Sequence, residues 1–174
     1  MHAFRTFLRP FRWAMVAAAV VVGASGVLGQ QPAGQATLAI SGNVARPLTL
    51  SPQDIKTMPR TTVSLTEEGR EVKYDGVLVG ELLSRAGAPL GRDLTGAAVA
   101  TYVVATGKDG YRAVFSLAEL DPAFTGSDII VADTIDGKPL FDYQGPLRVV
   151  APHDKRGARS VRMLQTLDVV RLPK

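Results

Sequence analysis

The chain contains no cysteine. Disulfides, thiolate metal sites and cysteine nucleophiles are therefore excluded, and stability must come from a packed core alone. Histidine is almost as scarce. Of the two present, His2 falls in the N-terminal segment and His153 stands alone, so a zinc ion there would need carboxylates as its other partners, an unusual set. The single tryptophan, Trp13, also lies near the N-terminus. There is no Gly-x-Ser-x-Gly elbow to present a serine nucleophile, no internal repeat and no coiled-coil period. No apolar run reaches the roughly 20 residues of a membrane span.

Charge of one sign is missing as well, once the N-terminal segment is set aside. His2, Arg5, Arg9 and Arg12 precede the apolar run Trp13–Val22, and the small residues Gly23, Ala24, Ser25, Gly26 and Gly29 follow. That order predicts a signal peptide over 1–29, cleaved after Ser25 or Gly29, with an uncleaved anchor as the alternative. With no twin-arginine pair and no lipoprotein cysteine, it predicts Sec-type export to a periplasm, with no stable membrane insertion after cleavage. Three of the 20 basic residues and none of the 16 acids lie in this leader, leaving 17 against 16. The high whole-chain pI therefore belongs largely to the leader. There is no global case for nucleic acid as a partner.

What is present reads as a small polar linker over 30–36 and one strand-rich domain over 37–174, large enough for a real core. Alternation marks Leu38–Gly42 as a strand. Ser51-Pro52-Gln53-Asp54 predicts a helix start: a serine cap, proline at the first position and an acid at the third. It predicts a stop near Met58-Pro59. Thr61–Thr66 and Arg70–Tyr74 flank Glu67-Glu68-Gly69 as a hairpin. Val79–Ala86 has a helical apolar face and ends at Gly87. Strands are expected over Ala98–Ala105, Arg112–Phe115, Ile129–Ala132, Leu147–Ala151 and Thr166–Leu172, with a single turn capped by Ser116. Strands and helices do not alternate regularly, so the class is α+β, a mixed β-sheet with short helices.

Three stretches carry a family likeness: Tyr74-Asp75-Gly76-Val77-Leu78 running into Glu81-Leu82-Leu83; Asp109-Gly110-Tyr111 followed by Phe115-Ser116-Leu117 and Glu119-Leu120; and Gly145-Pro146-Leu147-Arg148-Val149-Val150 continuing to Ser160-Val161-Arg162. Together they resemble the sulfite-oxidase-type molybdopterin-binding domain, roughly from Ile40 to Val170. The resemblance implies that fold and a molybdopterin cofactor, whose molybdenum is held in the family by a cysteine thiolate. Here Thr66 falls where that cysteine would be, and Glu67-Glu68-Gly69-Arg70 follows. A neutral hydroxyl is a poor ligand for a soft metal, so molybdenum is not expected. Thr66 either lines an altered pocket or is an ordinary hairpin residue.

The segment from Arg148 to Arg162 is the candidate binding site. It holds Arg148, His153, Lys155, Arg156, Arg159 and Arg162 against Asp154 alone, and Gly157 and Ser160 offer backbone amides and a hydroxyl. Such a segment either cradles an anion by charge-assisted bonds or is a solvated loop. The resemblance places Lys155, Arg156, Arg159, Ser160 and Arg162 at the pterin phosphate. Tyr111, with Tyr143, either supplies a stacking face or packs at a strand start. The expected function is an exported, non-catalytic module that binds a small anionic ligand or a protein partner. The alternatives are a molybdopterin-dependent oxidoreductase with a non-cysteine metal environment and a subunit that docks onto a redox partner.

Overall fold

The computed structural model describes residues 37–126 and 128–173. The expected leader and linker lie outside the described residues. The first sheet is built from β1 (Leu38–Gly42), β2 (Leu48–Leu50), β5 (Thr101–Gly107), β6 (Arg112–Ser116) and β10 (Leu164–Arg171) in the order β2-β1-β10-β5-β6. The second contains β3 (Thr61–Glu67), β4 (Arg70–Leu78), β7 (Ile130–Ile135), β8 (Lys138–Pro139) and β9 (Arg148–Val150), with both β8 and β9 paired to β7. Among the described residues only β1 and β10 pair in parallel; the other ladders are antiparallel.

Side-chain alternation fixes which face each strand buries. In β5, Thr101, Val103, Ala105 and Gly107 are buried while Tyr102, Val104 and Thr106 are half-exposed. β7 is buried on both faces: Val131 joins the main core shared with the first sheet, and Ile130 and Ala132 join a second cluster with Val63, Val72, Tyr74, Leu140 and Val150. That second cluster covers the outer face of the second sheet, where the candidate site lies. Tyr74 and Val77 lie three residues apart in β4 and so point to opposite faces, Tyr74 into the second cluster and Val77 into the main core. A Cβ on Gly76 would meet the Val131 carbonyl oxygen at 2.1 Å, so only glycine allows this approach.

Helix α1 (Pro52–Lys56) carries the expected capping box: Asp54 N–H donates to Ser51 Oγ at 3.2 Å, and Ser51 N–H donates to the Asp54 carboxylate at 2.7 Å. Helix α2 (Val79–Arg85) buries Val79, Leu82 and Leu83. The β3–β4 turn is Glu68-Gly69, both at positive φ (51° and 77°), as a type I′ hairpin requires. The strand expected from Ala98 begins at Thr101 instead, because Gly96–Ala100 winds into a 3₁₀ turn. Two short strands, β2 and β8, carry too few residues for their alternation to be legible.

Candidate functional site

Arg148 opens β9 on the outer face of the second sheet, and it is buried at 3% exposure. An arginine is tolerated there only because its charge is matched. Its Nη2 donates to Glu67 Oε1 at 2.9 Å. Its Nη1 donates to Tyr74 Oη at 2.5 Å and to Gln144 Oε1 at 2.7 Å. The guanidinium lies 4.9 Å from the Tyr74 ring centroid, and Tyr74 Oη donates to Glu67 Oε1 at 3.1 Å. Burial pushes the Tyr74 hydroxyl up to about 12; Arg148 opposes that rise and Glu67 adds to it. Arg148, expected to face a ligand anion, is instead consumed by this network.

The network floors a cavity of about 440 Å³ lined by Glu67, Glu68, Arg70, Val72, Ile135, Phe141, Tyr143, Gln144 and Arg162. Glu67 reaches it because Val63, Leu65 and Glu67 share one face of β3. Thr66, read as either a pocket-lining or an ordinary hairpin residue, is exposed and belongs to the opposite parity, paired in register with Glu71. The residue of this strand that the cavity meets is therefore Glu67, not Thr66. Phe141 and Tyr143 form an edge-to-face pair at 5.4 Å, and the Arg162 guanidinium lies 5.3 Å from the Tyr143 ring centroid.

Arg162 also lines an adjoining pocket of about 240 Å³, with Asp109, Tyr111, Gly157, Ala158 and Ser160. The structure thus brings together three of the expected binding residues: Tyr111, Ser160 and Arg162. Tyr111 Oη donates to the Ala158 carbonyl at 2.6 Å, and Ser160 Oγ accepts from Ala151 N–H at 3.4 Å. Both hydroxyls shape the basic loop as well as facing the pocket. Gly157–Arg159 makes a 3₁₀ turn in that loop.

The remaining basic residues are placed differently. Arg159 donates through Nε and Nη2 to Asp154 at 2.8 and 2.7 Å, and through Nη1 to Glu119 at 3.2 and 3.0 Å. The Asp154 bonds above all raise its already high pKa further; burial works against them, and Glu119 adds to the rise. It also stacks 4.8 Å from the Phe115 ring centroid. Expected as a ligand contact, Arg159 is instead a clasp holding the loop to the 3₁₀ turn Ala118–Leu120. His153 lines a separate cavity of about 280 Å³ with Glu119, Asp154 and Arg159. Lys155 and Arg156 are exposed and line neither the Glu67 cavity nor the Tyr111 pocket. Among the described residues no three His, Asp or Glu side chains are grouped to hold a metal ion.

Sequence reasoning missed Glu67, Tyr74, Gln144 and Phe141 as parts of the site. The period-2 alternation of β3 was the available signal for Glu67. Nothing local pointed to the other three, which meet only through strand pairing and the 140–147 connection.

A family model described as the oxidoreductase molybdopterin binding domain matches residues 27–174. No curated protein matches the chain. Among solved structures, the sulfane dehydrogenase SoxCD from Paracoccus pantotrophus is similar, with a TM-score of 0.61 and 21% identity. The alignment covers 76% of this chain and 37% of that one, so this chain spans little more than a third of the SoxCD chain's length. At that identity the likeness shows the fold alone.

Proposed function

The chain belongs to the oxidoreductase molybdopterin-binding domain family, and from that premise we propose that it is an exported, non-catalytic member that uses the family scaffold to bind a small anionic ligand. The observation that carries this reading is the pairing of Glu67 with buried Arg148 at the end of β3, beside the position where the resemblance places the metal thiolate. The donor set does not fit molybdenum. The chain has no thiol, Thr66 is turned to the other face of its strand, and the nearest charged group facing the cavity is a carboxylate already committed to an arginine and a tyrosine. Glu67 and Glu68 together would also repel a dianionic phosphate and a dithiolene.

The anion site is the pocket of Asp109, Tyr111, Gly157, Ser160 and Arg162, in which the Asp109 carboxylate already accepts from Tyr111 N–H at 3.0 Å. Arg162 makes no ion pair among the described residues, whereas Arg148 and Arg159 are both neutralised by carboxylates. An unpaired guanidinium beside backbone amides and a hydroxyl is the donor set an oxyanion requires. A protein partner is the competing use of the same loop.

The test uses the exported protein purified from molybdenum-replete cells. Titration calorimetry with inorganic phosphate should show binding that Arg162→Ala weakens by about 1.5–3 kcal/mol, the range for a charge-assisted contact. Arg159→Ala should leave phosphate affinity near wild type while lowering the melting temperature. Identical affinity in wild type and Arg162→Ala would sink the anion site. Near-stoichiometric molybdenum with pterin in the purified protein would return the chain to the oxidoreductases.

A further inference from the structure

We propose that the free edge of β3 pairs with the same edge of a second copy of this chain, forming an antiparallel dimer centred on Ser64. This contact is independent of the anion pocket. β3 stands at the end of its sheet, in the order β3-β4-β7-β8, so one side of its backbone has no neighbouring strand among the described residues. Its seven residues ladder with β4 from Thr61 to Glu67 with no register shift. The two-residue turn Glu68-Gly69 makes Glu67 and Arg70 the closing hydrogen-bonded pair. Alternation then aims the N–H and C=O of Thr61, Val63, Leu65 and Glu67 at β4 and those of Thr62, Ser64 and Thr66 away from it. The same parity holds on β4: Lys73, opposite Ser64, turns its N–H and C=O to Asp136 on the far side. Among the described residues nothing bonds the outward main-chain groups of Thr62, Ser64 and Thr66.

An open edge of this kind is a template for another strand, and folded proteins usually blunt it with lysine, proline, a bulge or a cover. The other edges here are short or closed. β2 has three residues, and β8 has two, one of them Pro139. On β6, Ser116 gives its N–H to Glu119, and Arg159 lies over Phe115. On β9, Val149 gives its N–H to the Val161 carbonyl. β3 is the longest of these edges, and no lysine, proline, glycine or bulge interrupts it. Its own sequence selects the occupant. Two-fold pairing about Ser64 is the register that uses all seven residues. It sets Thr62 opposite Thr66, Val63 opposite Leu65 and Thr61 opposite Glu67 of the second copy. Threonine pairs and apolar pairs are favourable across strands, and no like charges meet. Just beyond the ladder, Glu68 comes beside Arg60 of the second copy, with opposite sign. Val63 and Leu65 pack with the second cluster, so the pairing joins the clusters of both copies into one apolar layer. A two-fold contact consumes both edges and closes at a dimer.

The experiment is sedimentation equilibrium on the exported protein over a range of concentrations. Wild type should pass from monomer to dimer and go no further. Ser64→Lys sets two lysines directly opposite each other at the two-fold and should weaken the dimer about fivefold. Ser64→Glu should weaken it similarly, with two carboxylates in the same place. Ser64 is exposed and its main chain faces away from β4, so each variant should keep the wild-type melting temperature. An equimolar mixture of the two variants should regain wild-type association, because lysine then faces glutamate. That recovery separates the Ser64 register from any general effect of added charge. A wild type that stays monomeric at every concentration overturns the proposal, including one that carries a different protein on this edge. So does a dimer that neither substitution weakens, and so do variants that fail to recover on mixing.

Discussion

Tyr74 and Arg148 set the electrostatics beneath the cavity, and each behaves in a way that titration can read. Tyr74 is fully buried, and its hydroxyl is pushed up to about 12 from 10.0. The folded state therefore holds the phenolic proton more tightly than the unfolded chain. The stabilisation this brings is present below pH 10 and is lost as pH rises through about 12. In a rapid pH jump, before unfolding, the phenolate absorbance should show a step near pH 12 that Tyr74→Phe removes. Retention of that step in the variant would assign it elsewhere. At this scale the sequence was half legible. Arg148 and Arg159 stand out as anion binders by residue type. Which guanidinium is already occupied depends on Glu67, Glu119 and Asp154, and only Asp154 lies close in sequence to the arginine it meets. Thr66 and Glu67 differ by one residue, yet in a strand that difference selects the opposite face.

Elements were read most safely where local chemistry is complete within a few residues. The Ser51–Asp54 box and the apolar stripe of α2 carry their own instructions and form as expected; the hairpin expected around Glu67-Glu68-Gly69 forms too, but its turn is Glu68-Gly69 and Glu67 ends β3. The clasp between Arg60, just before β3, and Asp133 in β7 is of another kind. Two bonds at 3.0 and 2.5 Å join residues 73 apart in sequence. Burial by itself would raise the Asp133 carboxyl; Arg60 and the Thr134 hydroxyl outweigh it and hold the carboxyl below its usual 3.8. A lowered folded value means the clasp contributes stability above the unfolded value and loses it as pH falls through the folded one. Urea midpoints should therefore drop steeply below about pH 4 in the wild type. Asp133→Asn should be less stable at pH 7 and should show a shallower acid limb. Parallel acid limbs in the two proteins would exclude Asp133 as a source. The late start of β5 has a similar lesson: its ladder with β10 ends at Thr101, and Gly96–Ala100 ahead of it, rich in glycine and alanine, winds into a 3₁₀ turn.

For the whole molecule, the near-neutral balance of the chain after residue 29 and the leader's charge pattern lead to a prediction about its place. Expressed with its own leader in a Gram-negative host, the protein should be recovered from the periplasm with a new N-terminus at Gly26 or Gln30, read by Edman degradation. Recovery from the cytoplasm with Met1 intact would remove the export proposal. The sequence by itself determined the absence of thiol chemistry, the α+β class, most strand and helix positions and the family, because each rests on residue type, short-range periodicity or ordered motifs. The tertiary structure alone decided which charges are spent and which are free. Ion pairs such as Glu67–Arg148 and Arg60–Asp133 join residues far apart in the chain, across strands whose pairing no local pattern encodes. A charged side chain near a cavity is a ligand contact only if folding has not already brought it a partner of opposite sign.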